Sequence, residues 1–65
     1  MKVSRLKFAI ITKARPTQFL TSTGELTEKF DEALLLEPDA VAEEIDTLDE
    51  PDNFETLKVH ITAEV

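Results

Sequence analysis

The clearest strand signal in this sequence is TLKVHITAEV, residues 56–65. Every second residue in it is apolar, namely Leu57, Val59, Ile61, Ala63 and Val65. The residues between them are polar or charged, and such alternation is typical of a strand with one face toward a core and the other toward solvent. The stretch therefore predicts a strand, and its apolar residues predict the inward side of a sheet.

A second alternating stretch spans residues 6–14. Its even positions are Leu6, Phe8, Ile10 and Thr12, and its odd positions are Lys7, Ala9, Ile11 and Lys13. We expect the even positions to face the core. The odd positions mix apolar residues with lysines, which predicts a strand that is central in the sheet and partly covered on its outer side. Pro16 ends this strand because proline lacks the amide proton that a ladder needs.

The middle of the chain carries weaker signals. Residues 18–21 predict a short second strand with one apolar side chain, Phe19 or Leu20, turned inward. Gly24 is the only glycine and marks the loop after that strand.

Residues 25–36 fit two interpretations. Their apolar residues have helical spacing, whereas residues 33–36 also fit a short buried strand that ends before Pro38. Leucine favours helix intrinsically, which supports the first interpretation. We nevertheless predict a strand at 33–36, because Glu37-Pro38 is an extended dipeptide and a helix start follows it without room for a turn.

A helix is predicted from Pro38 to about Leu48. Proline suits the first helical position, and Asp39 is acidic where the helix dipole favours anions. Val41, Ile45 and Leu48 form an apolar stripe along one side. The helix would therefore bury this stripe and leave its acidic side in solvent.

Together these elements predict one small domain over residues 1–65. The class is α+β, with a small curled, mainly antiparallel sheet in the order β-β-β-α-β and one helix packed on one face. A chain of 65 residues supports a single thin core.

Charge is sorted along the chain. Residues 1–15 contain five lysines or arginines and no acid, residues 37–55 contain nine acids and no base, and the net charge is -7. Affinity for nucleic acid comes largely from cations that neutralise phosphates, so this acidity disfavours direct binding to DNA or RNA. No apolar run has the length of a membrane span, and the absence of cysteine fits a reducing compartment. We expect a cytoplasmic protein that does not bind membranes.

Candidates for catalysis and metal binding are few. Histidine is the residue type best suited to acid–base chemistry near neutral pH, and His60 is the only one. We expect it to be an ordinary exposed strand residue. An acidic cluster consists of Asp46, Asp49, Glu50, Asp52 and Glu55. Its spacing is not that of an EF-hand, so it predicts a solvated helix end, with a weak Ca²⁺ or Mg²⁺ site as the alternative. We expect no enzyme, no cofactor and no small-molecule substrate.

The order of short motifs resembles that of small uncharacterised phage and prophage proteins of Gram-positive bacteria. The motifs are Phe8-Ala9-Ile10-Ile11, Phe19-Leu20 with Gly24, Ala33-Leu34-Leu35, Asp39-Ala40-Val41-Ala42-Glu43 and Val59-His60-Ile61. The resemblance spans most of the chain and implies an accessory or host-interaction role. It implies no catalytic residues, because the motifs are spacings of strands and a helix.

Two functional hypotheses follow. The first is a small interaction module that binds a protein partner, or a second copy of itself, through the outer face of the sheet. The residues expected on that face are Lys7, Ala9, Ile11, Lys13, Lys58 and His60. The alternative is an inhibitor that mimics phosphates and occupies a cationic groove of a nucleic-acid-binding protein. Its contact residues would be the acids Glu43, Glu44, Asp46, Asp49, Glu50 and Asp52.

Overall fold

The computed structural model describes residues 1–64 and has a four-stranded antiparallel sheet with one short α-helix, which agrees with the predicted α+β class. The elements are β1 (Lys2–Thr12), β2 (Phe19–Leu20), β3 (Leu26–Thr27), α1 (Val41–Asp46) and β4 (Phe54–Glu64), with two 3₁₀ turns at Phe30–Glu32 and Pro51–Asn53. The strand order is β3-β2-β1-β4, so β1 is central, as the sequence predicted, and β4 lies at an edge.

β1 and β4 form a long antiparallel ribbon. Eleven residue pairs join them, from Lys2 opposite Glu64 to Thr12 opposite Phe54. Eleven residues of extended chain span about 37 Å, and the longest dimension of the molecule is 41 Å. The ribbon therefore sets the length of the protein. Residues 13–53, which we call the body, connect its two strands at one end.

The body begins with a hairpin, of which the sequence predicted the first strand but not the second. β2 lies where it was predicted, but its partner strand is β3 at Leu26–Thr27 rather than residues 33–36. Gly24 has a φ of 86°, and its N–H donates to the Thr21 carbonyl over 3.1 Å. Glycine adopts this left-handed conformation without steric cost, so it closes a loop tight enough for the next residues to return alongside β2.

Residues 33–36 lie beside the sheet without forming a strand. Leu34 donates its N–H to the Leu20 carbonyl over 2.9 Å. Leu36 and Phe8 exchange two backbone hydrogen bonds, each of 2.8 Å, in an isolated antiparallel bridge. Only one residue pair of the predicted strand forms, Leu36 with Phe8, because the chain turns away from β1 directly after Glu37.

The helix is shorter than the sequence predicted. Residues 38–40 form a turn in which Ala40 donates to the Glu37 carbonyl over 3.0 Å, and α1 begins only at Val41. At its other end the Thr47 hydroxyl donates to the Glu44 carbonyl over 2.7 Å. This hydroxyl satisfies a carbonyl that a longer helix would have used, and α1 ends at Asp46 instead of Leu48. α1 contacts β1.

The register of the ribbon defines its two faces, because directly opposed residues point to the same side. The odd face carries Val3, Arg5, Lys7, Ala9 and Ile11 of β1 with Glu55, Leu57, Val59, Ile61 and Ala63 of β4. The even face carries Lys2, Ser4, Leu6, Phe8, Ile10 and Thr12 with Phe54, Thr56, Lys58, His60, Thr62 and Glu64. The apolar side of β4 therefore joins the mixed side of β1, and not its Leu6-Phe8-Ile10 side as the sequence suggested.

The buried core is small and centred on β1. Its members are Ala9, Ile10, Ile11 and Leu20. Since Ala9 and Ile10 are neighbours on opposite faces, both faces of β1 are covered here, which confirms that its outer side is covered in part. Among the residues described, neither α1 nor either 3₁₀ turn is long and apolar enough to cross a membrane.

Candidate functional site

The residues predicted to form one contact face are divided by the register. Lys7, Ala9 and Ile11 lie on the odd face, whereas Lys58 and His60 lie on the even face. Lys13 follows the end of β1 and donates its backbone N–H to the Asn53 carbonyl over 2.9 Å. The predicted face therefore does not exist as a single surface.

Two of these residues are also inaccessible to a partner. Ala9 is fully buried and Ile11 nearly so. Phe19 of β2 lies opposite Ile11, and its ring meets that of Phe30 edge to face, with centroids 5.5 Å apart and an interplanar angle of 70°. Ile11 is thus part of the core. The predicted docking face therefore loses Ile11, its largest apolar residue.

The exposed apolar residues of the ribbon lie on the same odd face, farther from the body. Val3 and Leu57 are each 39% exposed and Ile61 is 38% exposed. Val59, between the last two, is half-buried, and Ala63 is exposed. The apolar side of β4 was predicted to be the core, but its residues Leu57, Ile61 and Ala63 are exposed. This side of β4 therefore contributes to the surface.

Cations flank this apolar strip on β1. Arg5 is exposed and lies directly opposite Ile61, and Lys7 lies opposite Val59. The Lys7 ammonium donates to the Glu37 carboxylate, which joins the ribbon to the body next to the Phe8–Leu36 bridge. This hydrogen bond and the positive charge of Lys7 lower the pKa of Glu37 below its ordinary value. The charge of Arg5 lowers this pKa further. Arg5 itself is exposed, whereas the Lys7 side chain is largely buried beside Glu37.

The outer edge of β4 is a second feature of the ribbon. Phe8 directs its backbone N–H and carbonyl toward Leu36, away from β4. In an antiparallel pair, successive residues point these groups to alternate sides. The odd residues of β1 and β4 therefore bond to one another. The even residues of β4 direct their backbone groups outward at the edge, where the described part of the sheet has no further strand.

A groove lies at the junction of ribbon and body. It consists of two adjoining cavities of about 470 and 390 Å³ that share Leu26, Glu50 and Phe54. Leu20 and Leu48 add apolar surface to the smaller cavity. The larger one has Lys13 and Arg15 at its rim. His60 does not line either cavity, so the groove brings together no histidine-based acid–base pair.

The acidic residues of the phosphate-mimic hypothesis are spread along one continuous segment. Glu43, Glu44 and Asp46 belong to α1, and Asp49, Glu50 and Asp52 follow it up to the second 3₁₀ turn. Glu50 accepts a hydrogen bond of 2.6 Å from the Asn53 side-chain amide. No three or more side chains of the metal-ligating types converge among residues 1–64. Mimicry of phosphates stays a prediction.

Comparisons of the chain with protein-family models, with curated proteins and with solved structures give no match. The resemblance to phage proteins therefore stays a prediction as well. What the chain can do has to be argued from its own surface. The ribbon combines three exposed large apolar side chains with an edge strand of 11 residues, whereas the other edge strand, β3, has two residues.

Proposed function

We propose that this protein is a small non-catalytic interaction module that binds another protein through the odd face of its ribbon. The observation that carries the proposal is the exposure of Val3, Leu57 and Ile61 together on one side of a two-stranded ribbon. Exposed apolar groups cost free energy in water, and contiguous ones mark interaction surfaces more often than single ones do. The buried core has only four residues, so these exposed side chains are apolar surface that the fold itself does not bury.

The chemistry of the strip indicates the surface that it fits. Apolar side chains of β4 run beside Arg5 on β1, and Lys7 is engaged by Glu37. A partner would therefore present an apolar ridge with a carboxylate placed to meet Arg5, since an unpaired guanidinium at a dry interface is costly.

The role is the accessory or host-interaction role that the resemblance to phage proteins implies, carried out in the cytoplasm. It needs no catalytic group. His60 lies on the even face and does not line the groove.

A photo-crosslinking experiment in the native host tests the proposal. The substitution Ile61→p-benzoylphenylalanine places a photoreactive ring on the odd face, and the same substitution at His60 places it on the even face one residue away. We expect a covalent adduct with another protein from position 61 and at least fivefold less of that adduct from position 60. Equal yields, or no adduct at either position, would refute the proposal.

A charge substitution gives an independent check. Ile61→Lys puts a cation into the strip, and Thr62→Lys puts the same cation on the even face. Both side chains are exposed, so both variants should keep the far-ultraviolet circular dichroism spectrum of the wild type. Only Ile61→Lys should reduce the adduct obtained from a photoreactive residue at position 57.

A further inference from the structure

The geometry points to a second contact surface, the outer edge of the ribbon, and we infer that two copies of this chain pair through the outer edges of β4 in an antiparallel dimer. The dimer goes beyond the proposed function, because it uses the edge of β4 and leaves the odd face open to another protein. It adds a second copy of this chain as a partner and gives the register of that contact.

The backbone supplies the first argument. The even residues of β4 direct their N–H and carbonyl groups outward along an edge strand of 11 residues. A long unpaired edge is a template for another strand, and natural proteins protect such edges with proline, glycine bulges or closely spaced charges. β4 contains neither proline nor glycine, and one lysine. The free part of β1 is shorter and carries Lys2, Arg5 and Lys7, so its edge is the better protected one.

The side chains of β4 match their own copy in one register. With Val59 on the two-fold axis, Leu57 faces Ile61 of the second copy, and Val59 faces Val59. These are odd positions, so they form the pairs without backbone hydrogen bonds, in which side chains approach most closely. The apolar strip of each copy then becomes one continuous strip across the dimer.

The even positions supply the hydrogen bonds in the same register. The facing residues are Phe54 with Glu64, Thr56 with Thr62 and Lys58 with His60, each pair occurring twice about the axis. No two carboxylates face each other. All 11 residues of β4 are used, and the two-fold contact closes after two copies, so it gives a dimer and not a filament.

Charge favours the antiparallel direction. Counted from the sequence, the ribbon carries four bases and two acids, whereas the body carries three bases and 12 acids. Parallel pairing would place the two acidic bodies side by side. Antiparallel pairing places each body next to the free end of the partner's ribbon, where Lys2 and Arg5 lie.

The contact is narrow, which sets its strength. A strip about 37 Å long and about 10 Å wide buries roughly 750 Å² over both copies, which is below the size of stable specific interfaces, about 1,200 Å², and typical of weak, transient contacts. We therefore expect a weak dimer that forms as the protein concentration rises from 10 µM to 1 mM.

Sedimentation equilibrium over that range, with His60→Pro and His60→Ala, tests the inference. Proline removes an outward N–H and leaves the ladder to β1 intact, since position 60 is even, and edge strands tolerate proline there. We expect the wild type and His60→Ala to dimerise and His60→Pro to associate at least tenfold more weakly. A wild type that stays monomeric to 1 mM, or a His60→Pro variant that dimerises like His60→Ala, would overturn the inference.

Amide hydrogen exchange of the wild type keeps the test decisive if His60→Pro fails to fold. The amides of residues 57, 59 and 61 should be protected at both concentrations, because they bond to β1. Those of residues 56, 58, 60 and 62 should gain protection only at 1 mM. Even-position amides that exchange equally fast at both concentrations would exclude the edge contact.

The crosslinking experiment separates this inference from the proposed function. An adduct between two copies supports the dimer, and an adduct with a different protein from position 61 supports the odd-face module. An adduct from position 61 with a different protein, together with a monomeric wild type, overturns the dimer and leaves the interaction module standing.

Discussion

Ile10 and Ile61 of the ribbon have the same side chain, but one is in the core and the other is at the surface. Ile→Val substitutions at both positions test this assignment. Ile10 is 1% exposed and Ile61 is 38% exposed. Each substitution removes one methylene group, so the chemical change is identical and the environment alone differs.

The expected costs follow from burial. A fully buried methylene contributes about 0.8 kcal/mol, and an enclosed site adds a cavity cost, so Ile10→Val should destabilise the fold by about 1 kcal/mol. At position 61 about three-fifths of the side chain is buried and the site opens to solvent, so the cost should not exceed about 0.5 kcal/mol. For a chain of this size, 1 kcal/mol lowers Tm by about 4–8 °C.

Thermal unfolding at 10 µM, followed by far-ultraviolet circular dichroism, measures both effects. This probe suits a chain without tryptophan or tyrosine, and the low concentration keeps the protein monomeric. We expect the Tm of Ile10→Val to fall at least twice as far as that of Ile61→Val. Equal shifts, or a larger shift at position 61, would refute the view that the odd face is uncovered there.

Three further predictions concern the body and its attachment to the ribbon. Gly24→Ala should destabilise the fold by about 1 kcal/mol through its positive φ alone, since no atom beyond the two adjacent residues lies within 4 Å of the added Cβ. Gly24→Asn should cost less, and urea unfolding measures both. Phe30→Leu removes the edge-to-face contact with Phe19 and should cost about 1 kcal/mol in the same assay. The lowered pKa of Glu37 means that its pairing with Lys7 stabilises the fold above pH 4.5 and is lost as the pH falls below that value, so thermal unfolding between pH 6 and pH 3 should show a smaller acid-induced loss for Glu37→Gln.

Each of these predictions has a result that contradicts it. Gly24→Asn as costly as Gly24→Ala would mean that the loop does not need a left-handed residue. An unchanged stability of Phe30→Leu would mean that the ring contact contributes nothing beyond apolar area. An acid-induced loss of the same size in Glu37→Gln and the wild type would assign that loss to other carboxylates.

The strands of the ribbon were predictable because the signal for them is local. Alternation of apolar and polar residues depends on a period of two along a single stretch, and it identified β1 and β4 to within four residues at every end. The signal for the loop at Gly24 was likewise local, because it is the glycine itself. The position of β3 was not, because Leu26 and Thr27 have no alternation to show and form a strand only through the turn that brings them back to β2.

The candidate surface could not be predicted in the same way, because it depends on register. Each of the two long strands has one side that is more apolar than the other, and the sequence of each strand alone suggests that these two apolar sides share the core. Because Phe8 lies opposite Lys58, the more apolar side of β1 and the more apolar side of β4 are on different faces instead. A slip of one residue exchanges the faces of a strand, so this outcome is decided by the contacts of the whole sheet and by no single stretch.

The sorted charge also has a clearer meaning once the ribbon and the body are distinguished. Two molecules with a net charge of -7 repel each other, and most of that charge lies in the body, whereas the ribbon has a small excess of bases. Approach is therefore least unfavourable along the ribbon, and screening at physiological salt confines the remaining repulsion to about 8 Å. The apolar strip and the open edge lie on this same part of the molecule. Charge thus favours the ribbon over the body as the surface that a second copy approaches, and the edge of β4 supplies the backbone groups that form the contact.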